Sequence, residues 1–212
     1  FIDARSIVIR NGASIASDTF DTGHAGEVTL RTDSLTVQDG GFVSSDSFGD
    51  GDSGNVNITA AKLLVQGNGS DLTFISSDAL GAGKAGAVTL DAKSLSVTGG
   101  GFISSDTYTS GDGGDITIRS DTISLRDFGN IRSRTLSEGQ AGNIRIATGT
   151  LDLAGGGAIS SEATETSFGN AGFIGIVADT VTLAKDSLIS TASRGEGNAG
   201  QVGLVAKTLT VE

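Results

Sequence analysis

Residues 83–107 read GKAGAVTLDAKSLSVTGGGFISSDT. Val88 and Leu90 alternate with polar neighbours, Leu95 and Val97 repeat the alternation, and Ile103 follows a run of three glycines. An apolar period of two marks β-strands with one buried face, and glycine runs mark the turns between them. The stretch therefore reads as three short strands separated by tight turns.

The same phrase recurs along the whole chain. Aligned on its second glycine, it begins at Gly26, Gly54, Gly86, Gly114, Gly142, Gly172 and Gly200, at spacings of 28, 32, 28, 28, 30 and 28 residues. The first strand then carries Val28, Val56, Val88, Ile116, Ile144, Ile174 and Val202. The second carries Leu35, Leu63, Leu95, Ile123, Leu151, Val181 and Leu209, and the third Ile15, Val43, Ile75, Ile103, Ile131, Ile159 and Ile189. Such units cannot bury their apolar faces alone, so they stack. The expected fold is all-β: one parallel β-helix over residues 1–212, three strands per ~28-residue coil and about 7.5 coils, rising roughly 36 Å at ~4.8 Å per coil. A helical array is excluded by the period and by the β-branched core, and a propeller blade by needing about 40 residues and four strands. The four extra residues fall within 66–74 and the two extra within 161–169, both in turns.

Composition limits the functions available. The net charge is −11, which repels nucleic acid and anionic membrane surfaces and leaves cations, neutral glycans or other proteins as partners. No apolar run approaches the roughly 20 residues of a membrane-spanning helix. Cysteine is absent, so neither a disulfide framework nor a thiolate metal site exists. Methionine is also absent and no charged-then-apolar segment opens the stretch, so a mature or excised piece is expected.

In a stacked array each repeat position becomes a column, and four columns bear on function. The Gly-x-small-Gly loop resembles a phosphate cradle but lacks the following helix and the Lys-Ser/Thr pair. It reads instead as a corner where coils stack too closely for a side chain and where positive φ is required. Ser17, Ser45, Ser77, Ser105, Ser133 and Ser161 point inward and are expected to form a hydrogen-bonded ladder. No base accompanies them, since the one histidine, His24, lies in a loop. Asp18, Asp46, Asp78 and Asp106 form an acidic column, interrupted by Arg134, whose carboxylates either accept turn amides or share calcium ions. Phe20, Phe48, Leu80, Tyr108 and Leu136 form a column of large side chains, read as packing, with a sugar-stacking platform as the alternative. Gly175, Val177, Gly203 and Val205 make a candidate contact patch on the outer first-strand face, which is too irregular for an ice-binding array of threonines.

The phrase of residues 83–107, repeated throughout, resembles the haemagglutinin-type repeats of filamentous haemagglutinin-like exoproteins of the two-partner secretion pathway, notably those of cyanobacterial type. The resemblance covers essentially the whole chain. It implies a right-handed β-helix, secretion through an outer-membrane partner, a cell-surface location and an adhesin or filament role. It transfers no catalytic or binding residue, and the family's Asn-Pro secretion motifs have no counterpart in a chain without proline. Ile2 matches Leu30 in mid-strand and Val211 matches Val37, with no polar cap at either end, so the chain reads as a segment of a longer array or a unit joined end to end with further copies. The expected function is a non-enzymatic stalk or filament segment without a cofactor. A glycan- or calcium-binding adhesive module is the alternative, with surface glycans or a host or neighbouring cell as partner. A β-helical polysaccharide lyase or hydrolase is the third reading, and it would need a cleft at one of the two insertions.

Overall fold

The structure, a computed structural model, describes all residues from Phe1 to Glu212. Its strands are β1 (Ile2–Ile9), β2 (Ser14–Ala16), β3 (Val28–Gln38), β4 (Phe42–Ser44), β5 (Val56–Gln66), β6 (Phe74–Ser76), β7 (Val88–Thr98) and β8 (Phe102–Ser104). They continue as β9 (Ile116–Arg126), β10 (Asn130–Thr135), β11 (Ile144–Ala154), β12 (Ala158–Ala163), β13 (Ile174–Leu183), β14 (Leu188–Ser193) and β15 (Val202–Val211), and there is no helix. The odd-numbered strands stack in order as one eight-stranded sheet and the even-numbered ones as a seven-stranded sheet. Every pairing is parallel, giving a β-solenoid of about eight turns.

The register follows the apolar columns. Val28 lies opposite Val56, Val56 opposite Val88 and Leu63 opposite Leu95, so the insertion before Phe74 bulges out without shifting the ladder. Phe42 still meets Phe74 across it. The aliphatic columns close into one core of 33 buried residues.

The first and second strands, read as separate elements, run as one long strand bent at a corner. The ladder skips Asp33, Ala61, Lys93, Asp121, Gly149 and Asp179, while the residue before each still pairs. Those preceding positions hold Thr32, Ala60, Ala92, Ser120, Thr148 and Ala178, small enough for the inside of a bend. In Ser120 and Thr148 the hydroxyl also spans the corner, donating to the carbonyl two residues on at 2.9 and 3.1 Å.

The turn from long to short strand carries the positive backbone angles. Asn11–Gly12, Asp39–Gly40, Gly99–Gly100, Asp127–Phe128, Gly155–Gly156 and Lys185–Asp186 each have two consecutive positive φ values, the signature of a type I′ turn. Gly41 N–H closes such a turn onto Gln38 O at 2.9 Å. The register glycines do not share this property, so their requirement is space alone. Lys185 (48°) and Asp186 (61°) occupy left-handed conformations that cost non-glycine residues energy. Replacing the pair by Asn-Gly is expected to raise unfolding free energy by about 1 kcal/mol, read as an upward shift of the thermal midpoint.

Candidate functional site

The loop glycines and the serine column form one device. Ser105 Oγ accepts from the Gly114 amide at 3.0 Å and donates to the Gly86 carbonyl at 2.7 Å, so one hydroxyl joins two successive register glycines. Ser77 does the same between Gly54 and Gly86, at 2.6 and 2.9 Å, and Ser161 between Gly142 and Gly172, at 2.9 and 2.8 Å. Ser45 donates to the Gly26 carbonyl, and Ser133 accepts from the Gly142 amide at 2.8 Å. Ser105 and Ser133 also donate to the main-chain carbonyl of the serine one coil below, Ser77 and Ser105, at 3.3 and 3.0 Å, so the hydroxyls climb the column through backbone carbonyls and amides and not hydroxyl to hydroxyl. These hydroxyls are buried and engaged, and His24 is exposed with its Nδ1 accepting the Asp52 amide at 3.0 Å. Ser105→Ala strands a buried amide and carbonyl and is expected to cost about 2 kcal/mol, measurable by urea denaturation.

The acidic column also works between coils. Asp18 Oδ1 accepts the Asp46 amide and the Ser44 hydroxyl, both at 2.9 Å. Asp46 takes the Asp78 amide at 2.7 Å and the Ser76 hydroxyl at 2.9 Å, and Asp78 takes the Asp106 amide at 2.7 Å and the Ser104 hydroxyl at 3.0 Å. These are bonds to the next coil and not the local turn bonds expected. They also explain the short strands: where the lower coil carries Asp the ladder breaks after three residues and resumes beyond the carboxylate as a single bridge, such as Ser47 with Ala79, and where it carries Arg134 or Glu162 it runs unbroken for six.

Asp46 and Asp78 are buried and Asp106 fully so. Asp106 has countercharges, Arg132 Nε at 3.0 Å and Arg134 at 2.7 Å, whereas no cation pairs with Asp46 or Asp78. Burial pushes the Asp46 carboxyl up to about 6, against the lowering effect of the Asp78 amide and Ser76 hydroxyl and with help from the charges of Asp18 and Asp106. Burial, then the charges of Asp106 and Asp46, hold Asp78 well above the usual carboxylate range.

Two aromatic ladders flank this column. Phe20 stacks on Phe48 at 4.9 Å and 7°, the column anticipated from sequence. A second ladder was missed: Phe42, Phe74 and Phe102 stack at 4.9 and 5.2 Å, and the Arg132 guanidinium caps it 4.1 Å above the Phe102 ring. Its signal was an aromatic immediately before the third-strand aliphatic at the repeat spacing. Stacked rings cover one another's faces and leave mainly edges outward along each ladder. Between the ladders lies a groove of about 490 Å³, with Phe74 and Phe102 on one side, Phe48, Leu80 and Tyr108 on the other, and Asp46 and Asp78 between. Leu72, from the four-residue insertion, also lines it.

On the outer face of the other sheet, the Phe173 ring covers Gly175 and Gly203, meeting a Cβ built at Gly175 at 2.5 Å and at Gly203 at 3.2 Å. The anticipated patch is therefore partly filled from within, with Val177 and Val205 still exposed beside it. No group of three or more His, Asp or Glu side chains is placed to hold a metal ion, and no helix is long and apolar enough to cross a membrane. No family model, curated protein or solved structure matches the chain.

Proposed function

We propose that the chain is a rigid, non-enzymatic stalk or filament segment of a secreted, cell-surface protein of the filamentous haemagglutinin-like kind, holding a more distal adhesive part away from the cell. The observation that carries this reading is the unbroken parallel register of both sheets over one continuous core. Backbone ladders join each coil to the next, serine bridges join most of them, and aspartate bridges and stacked rings are added in the first coils, so bending or shearing the rod must break several kinds of bond together. The polar groups suited to chemistry, the serines and aspartates, are mostly engaged in that joining. Secretion through an outer-membrane partner is part of the proposal and rests on the repeat resemblance.

Force spectroscopy on the chain held at its two ends is the direct test. A stalk gives a stepwise record at high force, with steps of one coil. Collapse in one event at low force would overturn the mechanical reading, and turnover of a polysaccharide panel would overturn the non-enzymatic one.

A further inference from the structure

We propose that the groove between the two aromatic ladders is a binding site for an organic cation: a protonated primary amine on an apolar body, its ammonium group over Asp46 and Asp78. This goes beyond a stalk role, because a rod needs no such groove.

The argument starts from uneven compensation. Three successive buried carboxylates occupy one column, and the fold supplies two arginines to Asp106 and none to its neighbours. Asp46 and Asp78 are only 7% and 8% exposed, yet both line an open groove, so they are dry but reachable. A buried carboxylate without a countercharge is costly unless it is neutralised or paired, so a cation entering the groove gains an interaction that no group of the chain supplies. Burial raises both acids, as expected of groups awaiting a countercharge.

The walls select the rest of the ligand. Phe48, Leu80, Phe74 and Phe102 offer apolar contact, and the Tyr108 ring stands beside the acids; Arg132 also lines the groove, its guanidinium paired with Asp106 and laid over the Phe102 ring. An apolar stem fits there, whereas a strongly hydrated metal ion would be stripped of water against hydrocarbon. The carboxylates recur once per coil, at the 4.9 to 5.2 Å spacing of the stacked rings, so a ligand with two ammonium groups at that separation engages both. The net charge of −11 draws cations toward the site. Free polyamines and amino-sugar oligomers share this chemistry.

The test is calorimetric titration of the intact chain at pH 7 with spermidine, with a β-1,4-linked glucosamine oligomer, with its N-acetylated form and with calcium chloride. One or both amines should bind saturably, and their relative affinity identifies the source; the N-acetylated oligomer should not bind. Asp46→Asn and Asp78→Asn keep a side-chain oxygen for the next coil's amide, and each should weaken amine binding at least tenfold. Tyr108→Ala and Phe48→Ala remove wall without touching the carboxylates and should also weaken it. Melting curves confirm that each variant is folded. Absence of amine binding, equal binding by the N-acetylated oligomer, binding unchanged by the aspartate variants, or calcium binding abolished by those variants while amines fail would each overturn the proposal. A negative result leaves the stalk reading intact, since that is judged by force and turnover.

Discussion

Gly114→Val is expected to prevent folding or to lower stability by more than about 4 kcal/mol. A Cβ at Gly114 would run into the Gly86 carbonyl of the coil beneath and lie 2.5 Å from Ser105 Oγ. The first obstacle is backbone of a neighbouring turn, which cannot rotate aside, and the second is the hydroxyl that joins Gly86 to Gly114. Coil separation and loss of the serine bridge therefore come together, and the ladders on either side resist the opening. Even Gly114→Ala meets both atoms. Gly26→Ala is the internal control: its Cβ would meet only the Ser17 side chain, at 2.6 Å, and a hydroxyl can turn away. Its cost should stay near 1 kcal/mol. Gly12, with φ +73° and open space around it, should show only the backbone strain of a left-handed residue. Urea denaturation of the four variants gives the order directly. A Gly114→Val protein within about 1 kcal/mol of the parent would refute the close-stacking account.

The repeat made the register legible. Each apolar column read from period two is a line of facing residues in the sheets, as with Val56 opposite Val88 and Leu95 opposite Ile123. Three things were not legible, for different reasons. Thr32 and Ala60 do not announce a bend, because a small residue in a strand is unremarkable until the corner encloses it. Ser105 could be placed inside the coil by alternation, but its partners, 19 residues back and nine ahead, meet only once the coil closes. Asp46 follows the inward-facing Ser45, where strand alternation turns a side chain outward, and outward normally means solvated. Its burial comes from Phe48 and Phe74, which lie on either side, and the Phe42–Phe74–Phe102 ladder went unrecognised behind its glycine turn. Arg134 likewise read as an interruption of the acidic column and is its countercharge.

That burial makes stability depend on pH in an unusual direction, and acidification from about pH 7 to about pH 4 is expected to strengthen the fold. Folding raises the Asp46 carboxyl from 3.8 to about 6, chiefly by desolvation. Between those values the native chain holds a proton that the unfolded chain has released, so unfolding free energy falls as pH rises. The stabilising contribution is fully present below the unfolded value and lost as pH climbs through about 6. A difference of about two units, at ~1.4 kcal/mol per unit, makes this about 3 kcal/mol for Asp46. Asp78 acts in the same sense. The groups facing the pair are Asp18, Asp106, Ser76, Ser104, Tyr108, Arg132 and Arg134, and the two arginines are committed to Asp106. Asp115 opposes the trend only at lower pH. Burial pushes it up, but the Asn143 amide and Arg145 outweigh that and hold it below its usual value, so its contribution disappears only as pH falls below the ordinary carboxylate range. A stability maximum near pH 4 to 5 follows. Urea midpoints across pH 4 to 8 should decline toward neutrality in the parent and flatten in the Asp46→Asn, Asp78→Asn double variant. A parent protein equally stable at pH 5 and pH 7.5 would show that the two carboxylates are solvated or already paired, and would remove the reason for a cation in the groove as well.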